Sequence, residues 1–233
     1  VTAARKLRSW LTRRGFDRER VRAMTVDAND GIIATAGIVE GFSGAGADLV
    51  TLIIAAVSAM IAGTIALAGA KYAEAAGDRD AELAVMEEER RQLALSPQQE
   101  FTELAEHYKA RGLSIELAEQ VAAELTASDA LGAHLRAEHG LSASEITRPR
   151  PVAILAGVCF ALGSGVPLLA ISIAPADARA LWTLVVVSVA LVITSVVAAR
   201  SGRVSVGRTV GRALAIGLGT MLLTLGAGYL IAF

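Results

Sequence analysis

Apolar residues in this chain gather into long unbroken runs, not into the alternation of a half-buried strand. A run of about 20 apolar residues is the length that crosses the hydrocarbon core of a bilayer as a helix. Five segments read this way: 25–44, 48–72, 151–174, 180–199 and 210–233. A short Gly44-Ala45-Gly46 turn joins the first two. Between the second and third lies a polar segment whose punctuation predicts short helices. The second span continues as a helix through Glu89 to Leu95, because the run is rich in Ala, Glu, Leu and Met. Ser96-Pro97 opens a new helix, Gly112 stops it and Ser114 caps the next. Ser128 or Asp129 caps a further one, which ends near Gly140. The expected fold is an all-α membrane protein: five transmembrane helices with a cytoplasmic helical domain inserted between spans two and three. Its parts are residues 1–24, 25–72, 73–148 and 149–233.

Composition agrees with the pattern. Apolar residues make up 54% of the 233 and charged ones only 19%, and the mean hydropathy is +0.52. Small residues, which let helices approach closely in lipid, take the place of the scarce aromatics. Cys159 is the only cysteine, so neither an intrachain disulfide nor a cysteine metal cluster is available, and an inert buried thiol is expected. The first 22 residues carry Arg5, Lys6, Arg8, Arg13, Arg14, Arg18, Arg20 and Arg22, interrupted by Leu7, Trp10, Leu11 and Phe16. That is a basic amphipathic helix suited to an anionic leaflet, not a signal peptide. Because a span follows at once, a nucleic-acid partner is not expected.

Charge changes the picture in two ways. Lys and Arg crowd the N-terminal arm and the loop with Arg200, Arg203, Arg208 and Arg212, with Arg148 and Arg150 at the exit of the middle segment. The positive-inside rule then puts the N-terminus in the cytoplasm and the C-terminus outside. Compact loops and the lack of a targeting extension favour a bacterial inner membrane. The net charge of −1 also hides an imbalance: residues 73–148 hold sixteen of the 23 acids and seven basic residues, a formal −9.

Within that segment Glu100 and Glu103 share a helix face, with His107 a turn beyond, and Glu82, Glu88 and Glu89 line the preceding helix. Carboxylates converging from several helices make a hard cation site, and a nearby histidine brings Fe²⁺, Mn²⁺ or Zn²⁺ within range. The competing reading is a solvated acidic surface with pairs such as Glu87–Arg91. Inside the first span lie Asp27, Asp30 and Glu40. An ionisable group there is costly and usually functional. Asp30 and Glu40 are separated by about 15 Å of rise and roughly 80° of azimuth, so both can face one translocation path. Lys71 ends span two and is expected to snorkel to the interface. Pro167 should bend span three. Gly37 and Gly41 can pack on a neighbouring helix or a partner chain.

These features resemble the vacuolar iron transporter family, which includes the yeast vacuolar iron/manganese transporter and plant nodulin-like proteins. The resemblance rests on Ala28-Asn29-Asp30-Gly31, Glu103-Leu104-Ala105-Glu106-His107-Tyr108 and Arg111-Gly112-Leu113-Ser114. It extends through Ala118-Glu119-Gln120-Val121-Ala122, Asp129-Ala130-Leu131, His134, Phe160-Ala161-Leu162-Gly163 and Pro167-Leu168-Leu169. It implies a homodimer that exports Fe²⁺ or Mn²⁺ from the cytosol, generally in exchange for protons, with no permanent cofactor. It also implies that glutamates of the cytoplasmic domain gather metal, and that carboxylates and a methionine in spans one and two pass it on. By position, Asp30 matches the span-one aspartate, Glu100 and Glu103 a glutamate pair, and Glu89 a glutamate before them. Glu138 lies in the last acidic cluster. Leu67 stands where the family has methionine, Lys71 where it has an acid, and Ala23 where many members carry a further acid. These departures admit a second reading, a membrane-tethered metal sensor or regulatory protein whose path has degenerated. No nucleophile–base pair or phosphate loop suggests an enzyme.

Overall fold

The computed structural model describes residues 18–142 and 146–232. The greater part of the predicted basic arm therefore lies outside the described residues. The described residues form seven helices and no strand: α1 Arg18–Gly44, α2 Leu49–Leu95, α3 Pro97–Ala110, α4 Ile115–Glu138, α5 Pro149–Ile173, α6 Arg179–Gly202 and α7 Val206–Ile231. Residues up to Lys71 and from Pro151 onward make one compact unit, and Tyr72–Arg150 make another.

In the first unit α2, α5, α6 and α7 are long and apolar enough to cross a membrane. This is an all-α integral membrane protein. α1 falls outside that set, since Asp27, Asp30 and Glu40 interrupt its apolar run. Yet α1 is the helix around which the others pack. Its Ile32 and Ala36 join Val187 and Leu191 of α6 and Met221 of α7 in one buried cluster. Its Val39 joins Leu52 and Ala56 of α2 and Ile171 of α5 in another. The physical reason is the solvent. Lipid tolerates the exposed Ile54, Ile65, Leu162, Ile193 and Leu223 of the outer helices, but penalises a helix bearing acids unless neighbours enclose it.

Enclosure needs close approach, and glycine supplies it. A Cβ on Gly31 would strike the backbone of Phe160, and one on Gly163 the backbone of Ala28, where α1 crosses α5. Ser164 donates a hydrogen bond to the Gly31 carbonyl at the same crossing, 3.2 Å away. On the other side Gly44 and Gly228 bring α1 against α7 in the same way. Gly37 and Gly41 meet Thr220 and Thr224, so this pair packs on α7 of its own chain. Thr194 of α6 donates to the Asn29 side-chain oxygen of α1. Gly163→Ala is expected to force the α1–α5 crossing apart, at a cost on the order of 1–3 kcal/mol. A thermal melt in detergent, set beside Gly165→Ala, which has open space around it, would check this.

Candidate metal site

In the second unit the helices start and stop where the punctuation predicts, although the Ser96 side chain makes no capping hydrogen bond. Pro97 opens α3, and Gly112, at φ +101°, follows its end. The Ser114 hydroxyl accepts from Leu117 N–H. α4 is two helical pieces joined at Asp129, whose φ of −160° and ψ of 80° are extended. The Asp129 carboxylate accepts from Gly132 N–H at 3.0 Å and so caps the second piece. A Cβ at position 132 would collide with that carboxylate. This kink aims the last turns of α4, which carry His134 and Glu138 and end at the capping residue His139, and helps bring them to α2 and α3. Leu104, Ala105, Ala122, Ala133 and Ala137 pack α3 onto both pieces of α4.

The acids of α2 divide by use. Glu87 pairs with Arg90 and Glu88 with Arg91, both exposed, in place of the expected Glu87–Arg91 pair. Such pairs contribute little. Glu82 accepts from both the backbone N–H and the hydroxyl of Thr147, each at 2.8 Å, and holds that segment against α2. Glu89 turns inward.

There Glu89, Glu100 and His134 are 2%, 4% and 0% exposed. Each offers a ligand atom, and the three atoms lie within 4.8 Å of one another. His134 Nδ1 is 2.8 Å from Glu138 Oε1, 3.2 Å from Glu89 Oε1 and 3.7 Å from Glu100 Oε2. Only the contact with Glu138 is a hydrogen bond. Glu89 Oε1 and Glu100 Oε2 have no hydrogen-bond partner despite their burial. A buried carboxylate oxygen left unpaired is expensive. Neighbouring ligand atoms around a first-row divalent cation with bonds near 2.1 Å stand about 3.0–3.4 Å apart, so the spacing suits a cation. A second group, Glu89, Glu138 and His139, shares Glu89 and opens to solvent, with His139 Nε2 3.5 Å from Glu89 Oε2.

Burial pushes the Glu100 carboxyl above its ordinary value, and the charges of Glu103, Glu89 and Glu138 push the same way against His134. Glu100 thus holds its proton more tightly in the folded chain than in the unfolded one. The metal-free protein should lose stability as pH rises from the ordinary 4.5 through the raised value, since the folded state binds the extra proton. Melting the metal-free protein at about pH 5 and about pH 8 tests the sign. Saturating divalent cation should shrink the difference.

In the first unit, Asp27 is buried and Asp30 exposed. Asp30 belongs to a stripe of exposed residues every fourth position along α1: Val26, Asp30, Ala34, Ile38 and Phe42. The charge of Lys71 acts on it. Glu40 is 2% exposed, and one of its oxygens has no hydrogen-bond partner. Asp30 and Glu40 therefore do not share one face of the single chain.

Comparison with known proteins adds a decisive observation. Residues 21–229 match the VIT family along their whole span. The chain belongs to the VIT family. It is also 31% identical to a vacuolar iron transporter of Acanthamoeba castellanii, over 88% of this chain and 79% of that protein.

In this VIT-family protein the structure gathers three of the five metal residues expected from sequence, Glu89, Glu100 and Glu138. Glu103 is exposed and accepts from Gln99, although its charge still acts on Glu100. His107 stands edge-on to Tyr108, its Nε2 buried without a hydrogen-bond partner, and it joins neither ligand group. The histidines that do join are His134 and His139. The signal for them was available: two of the chain's three histidines flank Glu138, one of them at the i,i+4 spacing that puts it on the same face.

Proposed function

We propose that this chain forms a homodimer that exports Fe²⁺ or Mn²⁺ from the cytosol in exchange for protons. In this reading α1 is a fifth membrane-crossing helix and the Tyr72–Arg150 unit is a cytoplasmic domain between spans two and three. The N-terminus is cytoplasmic, the C-terminus is outside, and the membrane is a bacterial inner membrane. Family membership and the iron transporter named among its relatives support metal as the cargo.

The observation that carries the mechanism is Asp30 on the exposed, otherwise largely apolar stripe of α1. A carboxylate facing acyl chains costs several kcal/mol. A second copy presenting the same stripe across a two-fold axis removes that cost and lines a polar route. Glu89, Glu100 and Glu138 gather the ion, with Glu103 and His107 as outlying members, and Asp30, Asp27 and Glu40 pass it on. Metal and proton compete for the same carboxylate oxygens, which gives exchange a physical basis.

Proteoliposomes loaded with a metal-sensitive and a pH-sensitive dye test this. Inward metal flux with opposite proton movement is expected. Absence of flux for both Fe²⁺ and Mn²⁺ would reject transport. A second reading, a membrane-tethered metal sensor, is favoured by Lys71, whose ammonium acts on Asp30 where a cation would have to pass. Under it the protein binds metal and moves none.

A further inference from the structure

The gathering site differs in kind from a bed of carboxylates, because two imidazoles enter it. His134 is fully buried, with Nδ1 turned to three carboxylate oxygens at 2.8, 3.2 and 3.7 Å. His139 stands at the solvent side, 39% exposed, against the other oxygen of the same Glu89. Glu89 thus connects an inner position with one nitrogen donor to an outer position with another. The buried oxygens of Glu89 and Glu100 have no hydrogen-bond partner, so the inner position holds acceptors that a cation would satisfy.

We propose that His134 and His139 set the cation selectivity of this site, favouring Fe²⁺ and the later first-row divalent ions over Mn²⁺, Mg²⁺ and Ca²⁺. This rests on the reading of the site as the transporter's metal-gathering site, and of the two ions proposed there it favours Fe²⁺ over Mn²⁺. Donor chemistry sets the preference. Carboxylates are hard oxygen ligands and hold Mg²⁺, Ca²⁺ and Mn²⁺ well. Imidazole nitrogen is softer, and its preference climbs from Mn²⁺ through Fe²⁺ and Co²⁺. Position adds to this. The His134 ring sits between α4 and the two carboxylates from α2 and α3, so a cation between Glu89 and Glu100 meets its nitrogen. His139 meets a cation first, at the exposed end.

The test is equilibrium binding to the full chain in detergent, with Co²⁺ as an air-stable stand-in for Fe²⁺ and Mn²⁺ as its competitor. The wild-type protein should bind Co²⁺ about 10–100-fold more tightly than Mn²⁺. His134→Asn should lower Co²⁺ affinity on the order of 10–100-fold, and His139→Gln less, with Mn²⁺ changed by no more than about threefold. Because His134 is buried, the exposed His139→Gln variant keeps the test open if His134→Asn fails to fold. The intensity of the Co²⁺ visible bands gives a second readout of nitrogen ligation, which a merely structural role would not alter. Equal wild-type affinity for the two ions would overturn the proposal. So would variants that fold normally and lose both ions in equal measure, or a wild-type protein that binds neither. Failure of transport in liposomes leaves the binding ratio intact, so the two readings fail separately.

Discussion

Glu89→Gln is expected to weaken divalent-cation binding about 100-fold or more, the largest binding loss for any single substitution in this protein. Removing a group that only orients a metal ligand costs 10–100-fold. Glu89 is itself shared by both ligand groups, with one oxygen toward His134 and the other toward His139. The amide keeps the size and one acceptor but loses the charge, and its NH₂ would oppose a cation. The substitution should also leave the metal-free fold intact or firmer, because it relieves the crowding of acids around Glu100. Titration calorimetry with Co²⁺, read beside a melt without metal, distinguishes this from general damage. A tightly binding Glu89→Gln protein would remove Glu89 from the site. Glu88→Gln is the control, since Glu88 is held in an exposed pair with Arg91.

Asp30→Asn is expected to abolish metal flux, by a factor of about 100 or more, while leaving calorimetric binding within about twofold. The asparagine has nearly the same shape, but it neither neutralises a cation nor exchanges a proton. Asp30 is a member of neither ligand group and belongs to a different compact unit, so binding and flux should separate. Flux that survives Asp30→Asn would sink the proposed path. Lys71 sharpens the experiment. If its ammonium holds the carboxylate against a cation, Lys71→Ala should raise flux in the wild-type background and do nothing in the Asp30→Asn one.

Much of the fold is written in local chemistry. Apolar runs mark the four membrane-length helices, and Pro97, Gly112, Ser114 and Gly140 punctuate the middle segment as sequence position alone suggests. These are short-range effects of side-chain hydropathy and backbone freedom, which neighbours in sequence suffice to express. The same holds for the list of acids from which the site is drawn.

Which acids meet is a different matter. On α3, Glu100 and Leu104 turn inward, whereas Glu103 is rotated out to Gln99. His107 shares the azimuth of Glu100 but lies about 10 Å further along the axis. His134 enters because α4 breaks at Asp129 and Gly132 leaves room for the cap. The membrane unit repeats the lesson. Sequence alone established that the first span carries three acids; packing decided that α1 is enclosed, with Asp27 and Glu40 buried and Asp30 left on the exposed stripe. Hydropathy and caps act within a turn or two of helix, so the elements and the donors they carry can be read from neighbouring residues alone. Rotation and crossing are settled by contacts between distant residues, such as Gly31 on Phe160 and Gly163 on Ala28, and contacts of this kind choose which donors face one another.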